Sequence, residues 1–315
     1  MTDNSYVLIS PCRNEADYMR ITLDSVVNQS KLPTLWVIVD DGSTDDTPAI
    51  LEEYAKKYEF ITILTRENRG HRSVGPGVIE AFYYGYDAID ADQFEFICKF
   101  DLDLDLPEKY FEILIQRMND NPRIGTCSGK AYYKDIKTGD LISEKCGDEM
   151  SAGMTKLYRR TCFEEIGGFV RQVMWDGIDS HRCRQLGWIA VSWDEPNLIF
   201  THLRPMGSSQ KGILTGRMRH GFGQYFMGTS LIFMLASGVY RLTRPPYVVG
   251  GLAMVWGYLK SWATQEPQFE DRELSAFIRK YQWDCLLKGK RKATACLDAR
   301  QEQVWLNKYS KSDNS

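Results

Sequence analysis

No two of the eight cysteines, at positions 12, 98, 127, 146, 162, 183, 285 and 296, stand as C-x-x-C. In a chain of 315 residues this scatter excludes a disulfide-stapled scaffold and points to reduced thiols in a cytosolic compartment. Net charge is scarce as well: a formal value of -3 gives no reason to expect nucleic acid as a bulk partner. A basic segment followed by an apolar one is missing after Met1, where Thr2 to Ser5 pass straight into an apolar strand, so no signal peptide is read. What is present is ordinary globular composition, 43% hydrophobic and 26% charged, in a length that suits one large domain or two smaller ones.

The first two-thirds alternate between two periodicities. Tyr6–Ser10, Trp36–Val39, Phe60–Leu64 and the run ending at Phe100 are short apolar segments that predict buried strands. Between them, helices are expected from about Tyr18 to Gln29, through Ile50, Leu51 and Tyr54, and from about Gly77 to Ala88. This alternation predicts a parallel, doubly wound α/β sheet covered on both faces, with ligands bound at the carboxyl ends of the strands. A further strand is expected over 124–133, a helix C-cap at Gly168, and a capped helix opening near Trp175.

The stretch around which this pattern turns is Phe100-Asp101-Leu102-Asp103-Leu104-Asp105-Leu106-Pro107. In extended chain its three carboxylates would share one face. Like charges that close repel unless a cation neutralises them, and Mg²⁺ prefers oxygen ligands. The same stretch can also be a solvated acidic turn. A second acidic loop, Asp40-Asp41-Gly42-Ser43-Thr44-Asp45, follows the second strand, where it also suits a turn and a helix N-cap. Residues 66–77 form a basic, glycine-rich loop ahead of a helix, in which Arg69 and Arg72 suit an anion.

Taken in order, the turn Pro11-x-Arg13-Asn14-Glu15, the loop Val39–Asp45 and the motif Asp101-x-Asp103 resemble the nucleotide-sugar-binding half of family 2 glycosyltransferases. The resemblance covers roughly residues 5–205. It implies a GT-A fold and donor contacts from Pro11, Arg13, Glu15, Asp40 and Asp41. It also implies that Asp101 and Asp103 hold Mg²⁺ or Mn²⁺ on the donor diphosphate, with Asp105 a third contributor or a surface charge. By the same resemblance Asp176 is the general base, with Asp179 holding or substituting for it, and Trp175 replaces the family's usual glutamate. His202 stands where such enzymes often meet the metal or diphosphate. Arg217 and Arg219 occupy the region of a Q-x-x-R-W motif and can contact phosphate. The tryptophan of that motif is absent, which counts against processive polymer synthesis.

From residue 216 the chain changes character. Gly221 to Tyr240 and Pro245 to Leu259 carry no charge, whereas the remainder is polar and ends in Ser310 to Ser315. The expectation is a transferase domain over 1–215 and a helical region over 216–315. An apolar hairpin at about 221–262 would lie in a membrane interface or pack as a buried subdomain. The function implied is inverting, metal-dependent transfer from a nucleotide-diphosphate sugar to a glycan or lipid-linked acceptor at the cytoplasmic membrane face. Two alternatives stand beside it. A nucleotidyltransferase would carry a glycine-rich, lysine-bearing loop after strand one, which Pro11–Glu15 lacks, and a non-catalytic nucleotide-sugar-binding module would retain Asp41 while its base is dispensable.

Overall fold

A computed structural model describes residues 4–70, 75–135, 137–204, 212–244 and 246–309. The chain divides into two compact units. The first comprises Met1–Arg171 with Ile189–Pro205, and the second Gln172–Trp188 with Met206–Ser315.

In the first unit β1 (Tyr6–Cys12), α1 (Met19–Val27), β2 (Leu35–Asp40), α2 (Thr47–Lys57), β3 (Ile61–Thr65), α3 (Pro76–Tyr86) and β4 (Phe96–Phe100) alternate as the apolar periodicity requires. There follow β5 (Leu104–Asp105), α4 (Tyr110–Asp120), β6 (Ile124–Ser128), β7 (Lys130–Lys134), β8 (Leu141–Ser143), β9 (Thr155–Arg159) and α5 (Arg160–Glu165). After an interval, β10 (Ile189–Ser192) and β11 (Ile199–His202) complete the unit. Seven strands form one sheet in the order β10-β6-β9-β4-β1-β2-β3, and only β9 runs antiparallel to its neighbours. A second sheet has the order β5-β11-β7-β8. The mostly parallel α/β architecture is the one expected. Trp36, Phe96, Phe100, Tyr110 and Phe111 fill the core on one side of the main sheet, where burial of each large side chain is worth roughly 1.5–3 kcal/mol.

Two features of this sheet open the site. The chain steps from β1 outward to β2 and β3, then returns to place β4 on the other side of β1. Such a reversal leaves a crevice at the carboxyl ends of the two central strands. The β1–β4 pairing also stops at Ile9↔Lys99, while β1 stays paired with β2 as far as Cys12↔Asp40. The strand expected over 124–133 is two strands in different sheets. They part at Gly129, where a Cβ would lie 1.7 Å from the carbonyl oxygen of Leu198.

The second unit is helical: α6 (Trp175–Gln185), α7 (Ile213–Phe226), α8 (Leu231–Leu242), α9 (Val249–Ala263), α10 (Arg272–Lys288) and α11 (Lys290–Tyr309). Helix α6 groups here, whereas a boundary near 215 assigned it to the transferase domain. Arg182 pairs with Asp271 and Arg184 with Asp298, at 2.8 and 2.9 Å, tying α6 to the segments that open α10 and run through α11. The uncharged run from Gly221 is not one helix of a hairpin. Gly228, at φ +81°, ends the segment after α7, and the Ser230 hydroxyl caps α8 by accepting from the Phe233 N–H.

Helices α7, α8 and α9 meet through glycine. A Cβ at Gly221 would lie 2.0 Å from the Met254 carbonyl oxygen, one at Gly257 2.1 Å from that of Met218, and one at Gly251 2.6 Å from that of Gly238. Backbones this close leave no room for side chains between them. Among the described residues no helix is long and apolar enough to cross a membrane.

Candidate active site

The acidic loops converge around β1. Asp40 closes β2 and turns the chain by accepting from the Ser43 N–H at 2.9 Å. Asp41 donates its own N–H to the Cys12 carbonyl at 2.8 Å, which fixes it beside the end of β1. Gly42, at φ +73°, lies so close to Asn68 that a Cβ would stand 2.5 Å from its Cα. The Asp41 carboxylate accepts from Arg66 and Arg69 at 2.8 and 3.0 Å, and Arg69 also pairs with Glu80 at 2.9 Å. Arg13 donates to the Asp41 carbonyl and to the Asn68 side chain. The acidity of this corner registers on Cys12, whose thiol is pushed well up by burial and then by Asp40, Glu15, Asp45 and Asp41. Arg69 is thus committed to carboxylates, and Arg72 lies outside the described residues.

Across the β1–β4 opening, Asp101 and Asp103 act on one another electrostatically and both feel His202. Asp103 is buried, Asp101 keeps 30% of its side-chain surface, and Asp105 is exposed on β5. Lys99, buried in β4, meets the Asp101 carboxylate at 2.5 Å. Burial pushes the Asp101 carboxyl up, and Lys99 opposes it. Asp103 receives Arg204 at 2.7 Å and faces the Nε2 of His202 at 3.4 Å. Burial would raise its carboxyl, but His202 and Arg204 outweigh that and hold it well below the usual range. Arg204 also reaches Glu15, at 2.8 Å, and so joins the turn after β1 to the loop after β4.

His202 carries the most informative geometry. Its Nδ1 lies 3.0 Å from a carboxylate oxygen of Glu144, and its Nε2 is directed at Asp103. The antiparallel pairing His202↔Leu104 sets this facing. Burial disfavours a charged imidazole, yet the hydrogen bonds to Asp103 and Glu144 prevail and push it up to about 10. With Nδ1–H donated to Glu144, the Nε2 lone pair and an Asp103 oxygen point at one another, an arrangement that a proton or a metal cation resolves. A histidine that ligates a metal ordinarily donates its other N–H to a carboxylate in this manner. The donor set therefore fits a divalent cation. Among the described residues no three such side chains form a complete site, so the remaining coordination would come from substrate and water.

Sequence reasoning passed over Lys99, Glu144, Arg66 and Arg204. Lys99 left a trace, since a lysine inside an apolar strand must find a partner. Glu144 left none: it lies far from His202 in the chain and reaches it because β7 and β8 pair.

In the second unit Asp176 occupies the first turn of α6 and is half-buried, whereas Asp179 is 2% exposed and accepts from the Ser180 hydroxyl at 3.2 Å. The accessible position at a helix N-terminus, which favours the anion, belongs to Asp176. His220 of α7 is pushed down to about 4 by burial and by Arg241, with Asp176 opposing. Arg217 lies close enough to Arg241 to contribute to lowering its affinity for a proton, and burial does the same to Arg219.

A sequence profile described as Glycosyl transferase family 2 matches residues 7–175, more than half of the chain. The chain belongs to glycosyl transferase family 2. This family 2 chain is 28% identical over 175 residues to EpsH of Bacillus subtilis (strain 168), named as a glycosyltransferase, covering 54% of this chain and 46% of that protein. It is 29% identical over 125 residues to a poly-β-1,6-N-acetyl-D-glucosamine synthase of Staphylococcus epidermidis, covering 39% of this chain and 28% of that one. The match thus spans less than half the length of these curated relatives. Among solved structures, GalNAc-T7 with UDP, GalNAc and Mn²⁺ superposes with a TM-score of 0.59 at 14% identity, covering 90% of this chain and 57% of that one. TarS 1-349 of S. aureus with UDP-GlcNAc does so with a TM-score of 0.50 at 13% identity, covering 96% and 92%. These likenesses establish the GT-A fold of the family 2 chain.

Proposed function

We propose that the chain moves a sugar from a nucleotide-diphosphate donor to a hydroxyl of a glycan or lipid-linked acceptor, with inversion, at the cytoplasmic face of a membrane. The observation that carries the reading is the alignment of Asp103, His202 and Glu144 in the crevice beside β1. Asp101, Asp103 and His202 would hold Mg²⁺ or Mn²⁺, which would supply Lewis-acid stabilisation of the diphosphate leaving group. Glu144 keeps the His202 tautomer, and Lys99 holds Asp101 beside the site. Asp41, steadied by Arg66 and Arg69, accepts hydrogen bonds from the nucleoside, and Pro11, Arg13, Glu15 and Asp40 shape that pocket. Arg204 neutralises Asp103 and Glu15 between donor cycles.

Asp176 takes the proton of the acceptor hydroxyl as its oxygen attacks the anomeric carbon and the nucleotide diphosphate departs. Asp179, buried behind it on the same helix, supports that turn. Arg217 and Arg219 meet anionic groups of donor or acceptor. The relatives named poly-β-1,6-N-acetyl-D-glucosamine synthase support a glycan acceptor.

The test is a panel of UDP-, GDP- and dTDP-sugars followed by thermal shift and donor hydrolysis, with and without Mn²⁺ or Mg²⁺. Metal-dependent binding lost in Asp103→Ala, with turnover alone lost in Asp176→Asn, is the expected result. Absence of stabilisation by any nucleotide sugar would sink the reading. Retention of anomeric configuration in the product, seen by NMR, would contradict the single displacement.

A further inference from the structure

The glycine contacts among α7, α8 and α9 have a counterpart on their outer side. Ile232, Val239, Tyr247, Leu252, Trp256 and Trp262 are each 54–66% exposed, on or beside α8 and α9. The buried positions of α9 are instead Gly250, Gly251, Met254, Gly257, Tyr258 and Ser261. Small residues inward and large apolar ones outward invert the pattern of a water-soluble bundle. This pattern is the one helices adopt when lipid covers their outer faces. Exposed apolar area this concentrated marks an interaction surface.

Charge selects what covers it. The chain has no aspartate or glutamate between Glu195 and Glu266, while Arg241, Arg244 and Lys260 fall within or beside α8 and α9. The basic groups crowd one another: burial, then Arg217 and Arg244, holds Arg241 below the ordinary guanidinium value. A second copy of this surface would bring like charge against like charge, which opposes a symmetric dimer here. A bilayer carrying anionic headgroups offers both an acyl boundary for tryptophan and leucine and negative charge for arginine and lysine.

We propose that the outer face of α8 and α9 lies in the surface of an anionic lipid bilayer, with Trp256, Leu252 and Val239 in the headgroup–acyl boundary and Arg244 and Lys260 on the headgroups. No described helix is long and apolar enough to span, so the unit lies on the membrane. The inference deepens the reading of a lipid-linked acceptor and rests on it only for what the enzyme finds there.

The experiment is flotation of the full chain with vesicles of phosphatidylcholine alone or with about 30% phosphatidylglycerol, over a salt series. Binding is expected on the anionic vesicles and weakens with salt. Leu252→Ser/Trp256→Ser lowers the partition coefficient more than about ten-fold, and Lys260→Glu lowers it roughly five-fold. Equal partitioning into both vesicles, or binding indifferent to these substitutions, overturns the proposal. So does a wild type that ignores vesicles and forms a dimer lost in the double variant. Thermal shift with a nucleotide sugar in the same samples reports folding and donor binding. Its failure in the wild type refutes the proposed reaction while leaving the vesicle result intact.

Discussion

In the first unit Trp36, Phe82 and Tyr110 are wholly buried and the carboxylates Asp40 and Asp103 gather at strand ends; in the second, Gly221, Gly251 and Gly257 fill the helix contacts while Trp256 and Trp262 face outward. A sheet offers a broad face that large side chains can cover, so its polar groups collect where the strands stop. Helices that touch through glycine have no such face, and their large residues turn outward. Two histidines record the same contrast. His202, hydrogen-bonded to carboxylates, is pushed up to about 10 against its burial, and His220 is pushed down to about 4 by burial and then by Arg241.

Four substitutions and one titration test this division of labour. Asp176→Asn should lower kcat by 10² to about 10⁴-fold with donor affinity unchanged, read in steady-state kinetics and donor thermal shift. An equal loss of donor binding would merge the roles assigned to the two units. Asp103→Ala should remove Mn²⁺-dependent donor stabilisation and cost about 10³-fold in kcat/KM, as expected when a Lewis acid worth several kcal/mol is lost. Glu144→Gln, which cannot hold the His202 tautomer as a carboxylate does, should weaken Mn²⁺ binding by about 10- to 100-fold in calorimetry, with the fold intact by circular dichroism.

Gly257→Ala should destabilise the second unit by about 1–3 kcal/mol in urea unfolding, because the added methyl meets the Met218 carbonyl. Donor thermal shift should be unaffected. The smallest effect is expected from the histidines in metal-free protein. His202, raised from 6.5, contributes stability that is complete below 6.5 and is lost as pH climbs toward about 10. His220, lowered from 6.5, contributes stability present above 6.5 that is lost as pH falls toward about 4. Thermal unfolding at about pH 5, 7 and 9 should show the acid-side loss reduced in His220→Gln and the alkaline-side loss reduced in His202→Gln.

Much of the first unit was readable from one dimension. Apolar runs alternating with helical periods predict its parallel strands, and Asp41, Asp101 and Asp103 stand at their carboxyl ends where such sheets bind ligands. The misreadings have local causes. Nothing in the apolar pattern of 124–133 distinguishes one strand from two, and only the approach of Leu198 to Gly129 parts them. Gly228 and Ser230 lie inside the uncharged run Gly221–Tyr240, expected as part of a hairpin, whereas they end one helix and cap the next. Asp105 follows the alternation of its neighbours on paper, but the chain turns between Asp101 and Leu104 and takes it to the surface. Glu144 and Arg204 came from sequence-distant pairings that no window along the chain reports.

The first unit is interrupted, and this sets an order in time. Its strands β10 and β11 leave the ribosome only after α6, so β6 and β7 wait for their parallel partners while a foreign helix is being made. The family match ends at residue 175, short of both strands. A protein cut there would leave two strand edges unpaired and open to association with other chains. It would also strip Asp103 of His202 and Arg204 together. The shortest self-sufficient form of this fold therefore extends past the stretch by which its family is recognised.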